Sequence, residues 1–247
     1  MAPQYYAPHT LIKISTTNPK GNTTVHYSDK MGRVVLVKQQ LDSTWVPTYT
    51  LYNDFGQVKA VLPPTQVAQM IDSNHFDYQH ATNNDVLSYQ YAYDKKQQLI
   101  KKQLPDLVTE RYVYDPLGRL VAMQDNNQQA KGQWLVTKYD AYGRPILTAS
   151  YHSSLNRADL QAFFDQQTTL FERRAASSTG YTNTLPVLDV QDSVLTLQYY
   201  DDYDFDRDGL VDGGNAFVSR TGYASSYFDR LDGQMTGSAT RHLDGTG

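Results

Sequence analysis

The densest run of chemistry-capable side chains is Asp201 to Asn215, "DDYDFDRDGLVDGGN". Asp204, Asp206, Asp208, Gly209 and Asp212 follow the order of a calcium loop, with oxygen ligands at positions 1, 3, 5 and 9 and glycine at 6. Leu210, at position 7, would ligate through its carbonyl. Position 12 is Asn215, where an EF-hand carries a bidentate glutamate, so the pattern is partial. Calcium is the cofactor this order points to. The competing reading is a solvated acidic turn, with Asp201 or Asp202 bonded to backbone. Other chemistry is sparse. His75 and His80, with Asp77 between them, are the one near pair of the 6 histidines, and no zinc spacing accompanies them. No nucleophile elbow, phosphate loop or paired-histidine zinc helix occurs, and the chain has no cysteine. The expectation is a protein that is not an enzyme.

A second pattern is spread along the chain. "ERYVYDPLGRLVAM" around Asp115 returns as "VTKYDAYGRPILTA" around Asp140 and as "VHYSDKMGRVVLVK" around Asp29. Aligned on the acid, the copies are Asp29-Lys30-Met31-Gly32, Asn53-Asp54-Phe55-Gly56, Asp94-Lys95-Lys96-Gln97, Asp115-Pro116-Leu117-Gly118 and Asp140-Ala141-Tyr142-Gly143. A catalytic constellation repeated along a chain would be odd, whereas turn chemistry explains each position. Asp or Asn at the first place accepts hydrogen bonds from the backbone two residues on. Pro116 has the φ of a type I turn, and glycine suits the left-handed residue that closes a bulged hairpin. Alternating "TERYVY" before the turn and "RLVAMQ" after it supply the strands. Gln97 breaks the glycine rule, so that hairpin is expected to close with a different turn.

These turns require strands on either side, and composition agrees. Tyr accounts for 20 residues against 8 Phe and 2 Trp, and only 19% of residues are charged. Tyrosine fits a pleated surface that is apolar along its body and wet at its tip. The fold expected is all-β: repeated antiparallel β-hairpins in a curved or spiralling sheet with a short α-helical insertion. After Pro63-Pro64 a short helix is expected over Gln66 to Ile71, capped by Thr65. A longer one is expected over Arg157 to Arg173, with Leu155, Leu160, Phe163, Phe164 and Leu170 on one face, at the outside or rim of the sheet. "AASSTGYTNT" reads as a loop, and strands resume at "SVLTLQYY" and "AFVSRTGY". The division expected is 1–150 for the hairpin array, 151–180 for the helical insertion and loop, and 181–247 for further hairpins with the acidic loop.

The turn copies resemble the YD repeat of Rhs proteins, whose unit is Tyr-x-Tyr-Asp-x-x-Gly-Arg-Leu. The match is clearest at Tyr112, Tyr114, Asp115, Gly118, Arg119 and Leu120. It is good at Tyr139, Asp140, Gly143 and Arg144 and at Asp29, Gly32 and Arg33, and weaker at Tyr52, Asn53 and Gly56 and at Tyr93, Asp94 and Leu99. "LYNDFGQVKAVLPP", "KGQWLVTKYDAYGRP", "YYDDYDF" and "QMTGSATRHL" look like the Bacteroidetes branch. In Rhs proteins, toxin-complex components and teneurins such repeats wind into a hollow β-sheet shell, and the bacterial shells often enclose a C-terminal toxin freed by a core segment. No such segment is recognisable before Gly247, so the chain resembles an interior or N-proximal slice of a shell. The resemblance implies a secreted or cell-surface location and, as partners, the remainder of a longer chain with its C-terminal cargo.

A second function class is a carbohydrate-binding module, with glycans stacked on exposed tyrosines. Cut sheet edges also imply covering by the helical insertion or self-association. Net charge of −4 argues against nucleic acid as a partner. No run approaches the length of a membrane span, and Met1 to Ser15 lacks a signal-peptide core, so a soluble chain is expected.

Overall fold

The computed structural model describes residues 6–74, 76, 87–105, 108–189, 192–205, 207, 209, 218, 220–222, 226 and 231–241. The fold is all-β with antiparallel hairpins as its unit. The chain divides into two compact units, Met1–Glu110 and Arg111–Gly247.

In the first unit β1 (Ile12–Thr17), β2 (Thr23–Ser28), β3 (Val34–Leu41), β4 (Thr44–Tyr52), β5 (Val58–Leu62), β6 (Tyr89–Tyr93) and β7 (Leu99–Gln103) lie side by side in chain order. Helix α1 (Pro64–Asp72) joins β5 to β6. It begins two residues earlier than the sequence implied, with Pro63 extended at the N-cap and no side-chain cap. Thr65 therefore lies inside the first turn, because Pro64 already has the φ a helix needs at its first position. Val67 packs on Ala60 and Leu62, with Leu51 and Met70 at the margin, and this small cluster is the core of the unit.

In the second unit the order is β8 (Thr109–Tyr114, straddling the division), β9 (Leu120–Gln124), β10 (Gln133–Tyr139), β11 (Pro145–His152), β12 (Ser193–Tyr200) and β13 (Met235–Thr240). Helix α2 (Asn126–Ala130), closed by an Asp125–Gln128 capping box, joins β9 to β10. Helix α3 (Arg157–Asp165) follows β11, capped by the Asn156 side chain on the amides of Ala158 and Asp159. Trp134 and Val136 of β10, Ile146 of β11, and Leu160 and Phe164 of α3 are all fully buried in one cluster. Gln161 ties the helix to β8, accepting from the Tyr114 amide at 3.0 Å and donating to its carbonyl at 2.6 Å.

Two sequence expectations are corrected here. The α3 helix ends at Asp165 instead of Arg173, since Thr168-Thr169 are poor helix formers and Glu172 is needed elsewhere. Leu155 is exposed and only Leu160 and Phe164 of the expected face are buried. The expected strand at "AFVSRTGY" lies largely outside the described residues.

Turns of the Asp/Asn type follow β2, β4, β6, β8 and β10, and a similar Asn18 turn follows β1, whereas the helices of the described residues all follow odd-numbered strands.

Candidate functional site

Each turn is built by the side chain of its first residue. In the first copy the Asp29 amide donates to the Arg33 carbonyl at 2.9 Å, and the Gly32 amide returns to the Asp29 carbonyl at 3.0 Å. Asp29 Oδ1 meanwhile accepts the amides of Met31 at 2.9 Å and Arg33 at 3.0 Å. Asn53 and Asp140 repeat the arrangement with Phe55 and Gln57 and with Tyr142 and Arg144. Asp115 accepts the Arg119 amide at 2.9 Å. Asparagine serves as well as aspartate because one amide-type oxygen suffices. The fourth residue closes the turn at positive φ, from +79° at Gly32 and Gly143 to +82° at Gly118.

The third copy contradicts the expectation of a different turn. Gln97 adopts φ +63° and its amide bonds to the Asp94 carbonyl at 3.0 Å, as glycine does elsewhere. Asp94 Oδ1 holds the Lys96 and Gln98 amides at 2.8 Å each. Those bonds offset a left-handed cost of roughly 1–2 kcal/mol.

Beyond the turn, the arginine and tyrosine of the pattern connect one hairpin to the next. Arg33, Arg119 and Arg144 donate Nε to the second carboxylate oxygen of Asp29, Asp115 and Asp140 at 2.7, 2.7 and 2.6 Å. The guanidinium then lies over the tyrosine that ends the next even-numbered strand: Arg33 over Tyr52 at 5.0 Å, Arg119 over Tyr139 at 4.6 Å and Arg144 over Tyr200 at 4.3 Å. That tyrosine donates its hydroxyl back to the preceding hairpin. Tyr52 reaches the Val34 carbonyl at 3.0 Å, Tyr93 reaches Val58 at 2.9 Å, Tyr139 reaches Leu120 at 2.7 Å and Tyr200 reaches Pro145 at 3.2 Å. Every accepting residue is the fifth after the Asp or Asn that opens its turn. The Tyr-Asp-x-x-Gly-Arg unit is therefore a latch, in which Asp shapes the turn, Arg links that turn to the next tyrosine, and Tyr closes the junction.

The same latch exposes a sixth copy that spacing hides. The Asp201 amide bonds to the Gln234 carbonyl at 3.1 Å, which is the bond made by the first and fifth turn residues elsewhere. Gly233 has φ +79°, and Tyr200 pairs with Met235 after a register shift at Tyr199/Tyr200. The other five hairpins shift at the equivalent point, as at Lys138/Tyr139. A sixth turn is thus split, its first residue separated from its closing glycine by residues 202–232. Arg144 grips Asp201 with both terminal nitrogens, at 3.0 and 2.6 Å. The Arg144 bonds, joined by the Gly233 amide and opposed by partial burial, hold the Asp201 carboxyl below its ordinary range.

The start of the inserted segment is anchored. Arg174 donates to the carbonyls of Gly180, Asp204 and Phe205 and pairs with Asp202 at 3.1 Å. Phe205 stacks on Tyr199 at 4.6 Å, and Tyr199 on Tyr181 at 5.9 Å. A Cβ on Gly180 would lie 1.9 Å from the Phe205 carbonyl oxygen, and one on Gly237 would lie 2.5 Å from its ring.

One buried ion pair went unread in the sequence. Lys138 Nζ meets Glu172 Oε1 at 2.9 Å and Asn183 Oδ1 at 2.8 Å, with the paired side chains 1% and 2% exposed. Glu172 also accepts from Thr182, Thr184 and the Leu185 amide. Burial alone would raise the Glu172 carboxyl, but these donors and Lys138 hold it below its ordinary value. Burial likewise lowers the Lys138 ammonium, against the pull of Glu172. The pair fastens the crossing segment after α3 onto β10. A lysine in an otherwise alternating apolar strand was the only signal for it.

Of the proposed calcium ligands, Asp206, Asp208, Leu210 and Asp212 lie outside the described residues. Asp204 is described: its Oδ2 accepts the Gly209 amide at 3.1 Å, and its Oδ1 is buried with no hydrogen-bond partner. Among the described residues no three His, Asp or Glu side chains gather around one point. His75, His80 and Asp77 also lie outside. No helix of the described residues is long and apolar enough to cross a membrane.

No protein-family description matches the chain, and no curated protein matches it. Among solved structures it is similar to the Photorhabdus luminescens Tc holotoxin pore carrying a mutated TccC3, at 17% identity and a TM-score of 0.42. The likeness covers 76% of this chain and 8% of that one.

Proposed function

We propose that this chain is a non-catalytic structural segment of an Rhs/YD-repeat shell, whose work is to enclose or present a C-terminal toxin or effector. One observation carries the reading: the repeated Tyr, Asp and Arg are consumed in linking hairpin to hairpin. That leaves the conspicuous polar groups engaged in assembly. The same reading covers the Bacteroidetes-type branch, a secreted or cell-envelope location and the 1–150, 151–180 and 181–247 division. Extending the natural reading frame beyond Gly247 tests it. Further YD turns, a core segment and a downstream domain spared by protease are expected. A frame that soon stops, or a downstream domain cleaved as fast as when free, would overturn it.

A glycan-binding reading has its own observation. A cleft of about 320 Å³ in the first unit is lined by Phe55, Lys59, Tyr91, Lys101 and Gln103, with Phe55 73% exposed. An aromatic face beside carboxamides suits a sugar ring. Binding on a glycan array that Phe55→Ala abolishes would favour it over enclosure.

For the acidic loop we infer calcium, supported by the order of its residues and the unpartnered Asp204 Oδ1. Calcium should raise Tm, and Asp204→Asn should remove the rise. An unchanged Tm and no heat of calcium binding would leave the loop a solvated turn.

A further inference from the structure

The latch predicts what its own last strand should receive. The carbonyls of Val34, Val58, Leu120 and Pro145 each take a tyrosine hydroxyl from the hairpin that follows. Met235 occupies the same place in the split sixth turn, following Gln234 and lying opposite Tyr200 after the same register shift. Its strand, β13, pairs with β12 on one side and, among the described residues, with no strand on the other. Met235 is 59% exposed.

We propose that the outer edge of β13 is a docking surface for a further YD-type hairpin of the same polypeptide. The leading strand of that hairpin pairs antiparallel with β13, and its turn tyrosine donates to the Met235 carbonyl. The inference rests on the repeat-shell reading and adds the recognition group. Continuity with the interfaces already formed inside the chain is the argument, since the four junctions closed by Tyr52, Tyr93, Tyr139 and Tyr200 use one donor type and an acceptor at the same place after the turn. A second copy is a poor occupant. Its edge strands are β1, which runs into the Asn18 turn behind Thr17, and β13, which leads away from a turn. Neither ends in tyrosine.

The test extends the full chain after Gly247 with a second copy of residues 131–152, a complete YD hairpin held at high local concentration. The Arg241 amide bonds to Leu195 at 2.9 Å, so the amides of Ser238 and Thr240 alternate away from β12. Their hydrogen exchange should slow by about tenfold or more, and Tyr139→Phe in the appended copy should give back roughly two- to tenfold of that. Unchanged exchange, or equal protection by the Phe version, would overturn the proposal. So would a dimer of the unextended chain, seen by light scattering, that protects the same amides. A natural frame lacking further repeats would defeat the shell reading and remove this occupant with it, whereas absent protection in a frame that does continue in repeats would defeat the docking alone, so the two failures are distinguishable.

Discussion

The two units use the same latch but differ in what covers the sheet. In the first, junctions such as Arg33–Tyr52 and Tyr93–Val58 link the ends of the strands, and the buried apolar cluster is three residues deep: Ala60, Leu62 and Val67. Strand β1 is exposed along its whole length. The second unit adds α3 and a crossing segment to one face, burying Trp134, Ile146, Leu160 and Phe164 and sealing the contact with Lys138–Glu172. Latches therefore suffice to order hairpins, while a deep core needs an insertion between repeats. The insertion is what gives the second unit a side chain worth burying against, since a single sheet has no opposing layer of its own.

Breaking the seal should show the contrast most strongly. Glu172→Ala leaves Lys138 buried without its partner and should destabilise the second unit by about 3–5 kcal/mol, measured by urea unfolding. Glu172→Ala with Lys138→Met should recover much of that loss, and failure to recover would mean the crossing segment is held by other contacts. Acid probes the same pair without mutation. The folded Glu172 carboxyl titrates below its unfolded value, so its stabilisation is complete above the unfolded pKa and disappears as pH falls through the folded one. The second unit should accordingly lose amide protection on acidification below the ordinary carboxylate range, Asp201 adding to the loss. Equal loss in both units would remove the distinction.

Glycine substitutions sharpen the comparison further. Gly180→Ala meets the Phe205 carbonyl as well as an unfavourable φ of +70°, and should cost roughly 3 kcal/mol and release Phe205 from Tyr199. Gly21→Ala in the first unit has φ +85° but open space around it, and should cost only about 1 kcal/mol by thermal unfolding. The smallest effect has the opposite sign. Gln97→Gly relieves the left-handed strain of the third turn and should stabilise the first unit by about 0.5–1 kcal/mol, visible as a small rise in Tm.

Much of this was legible in the chain. Five turns were read from Asp29, Asn53, Asp94, Asp115 and Asp140, because turn chemistry is local: an Asx side chain bonds amides two and four residues on. The α1 helix and β12 were read for the same reason. Gln97 was misjudged because the Asp94 bonds outweigh its φ preference, a balance that propensity alone does not show. The sixth turn escaped notice because residues 202–232 separate Asp201 from Gly233.

The sequence by itself determined the hairpin unit, its turns and the all-β class, since each depends on interactions within a few residues. Only the tertiary structure decided what Arg and Tyr of the repeat are for, which lysine and glutamate meet in the core, and where a split repeat closes. Those contacts join residues 18 to 57 positions apart, from Tyr52–Val34 to Arg144–Asp201, and no local preference encodes such a pairing.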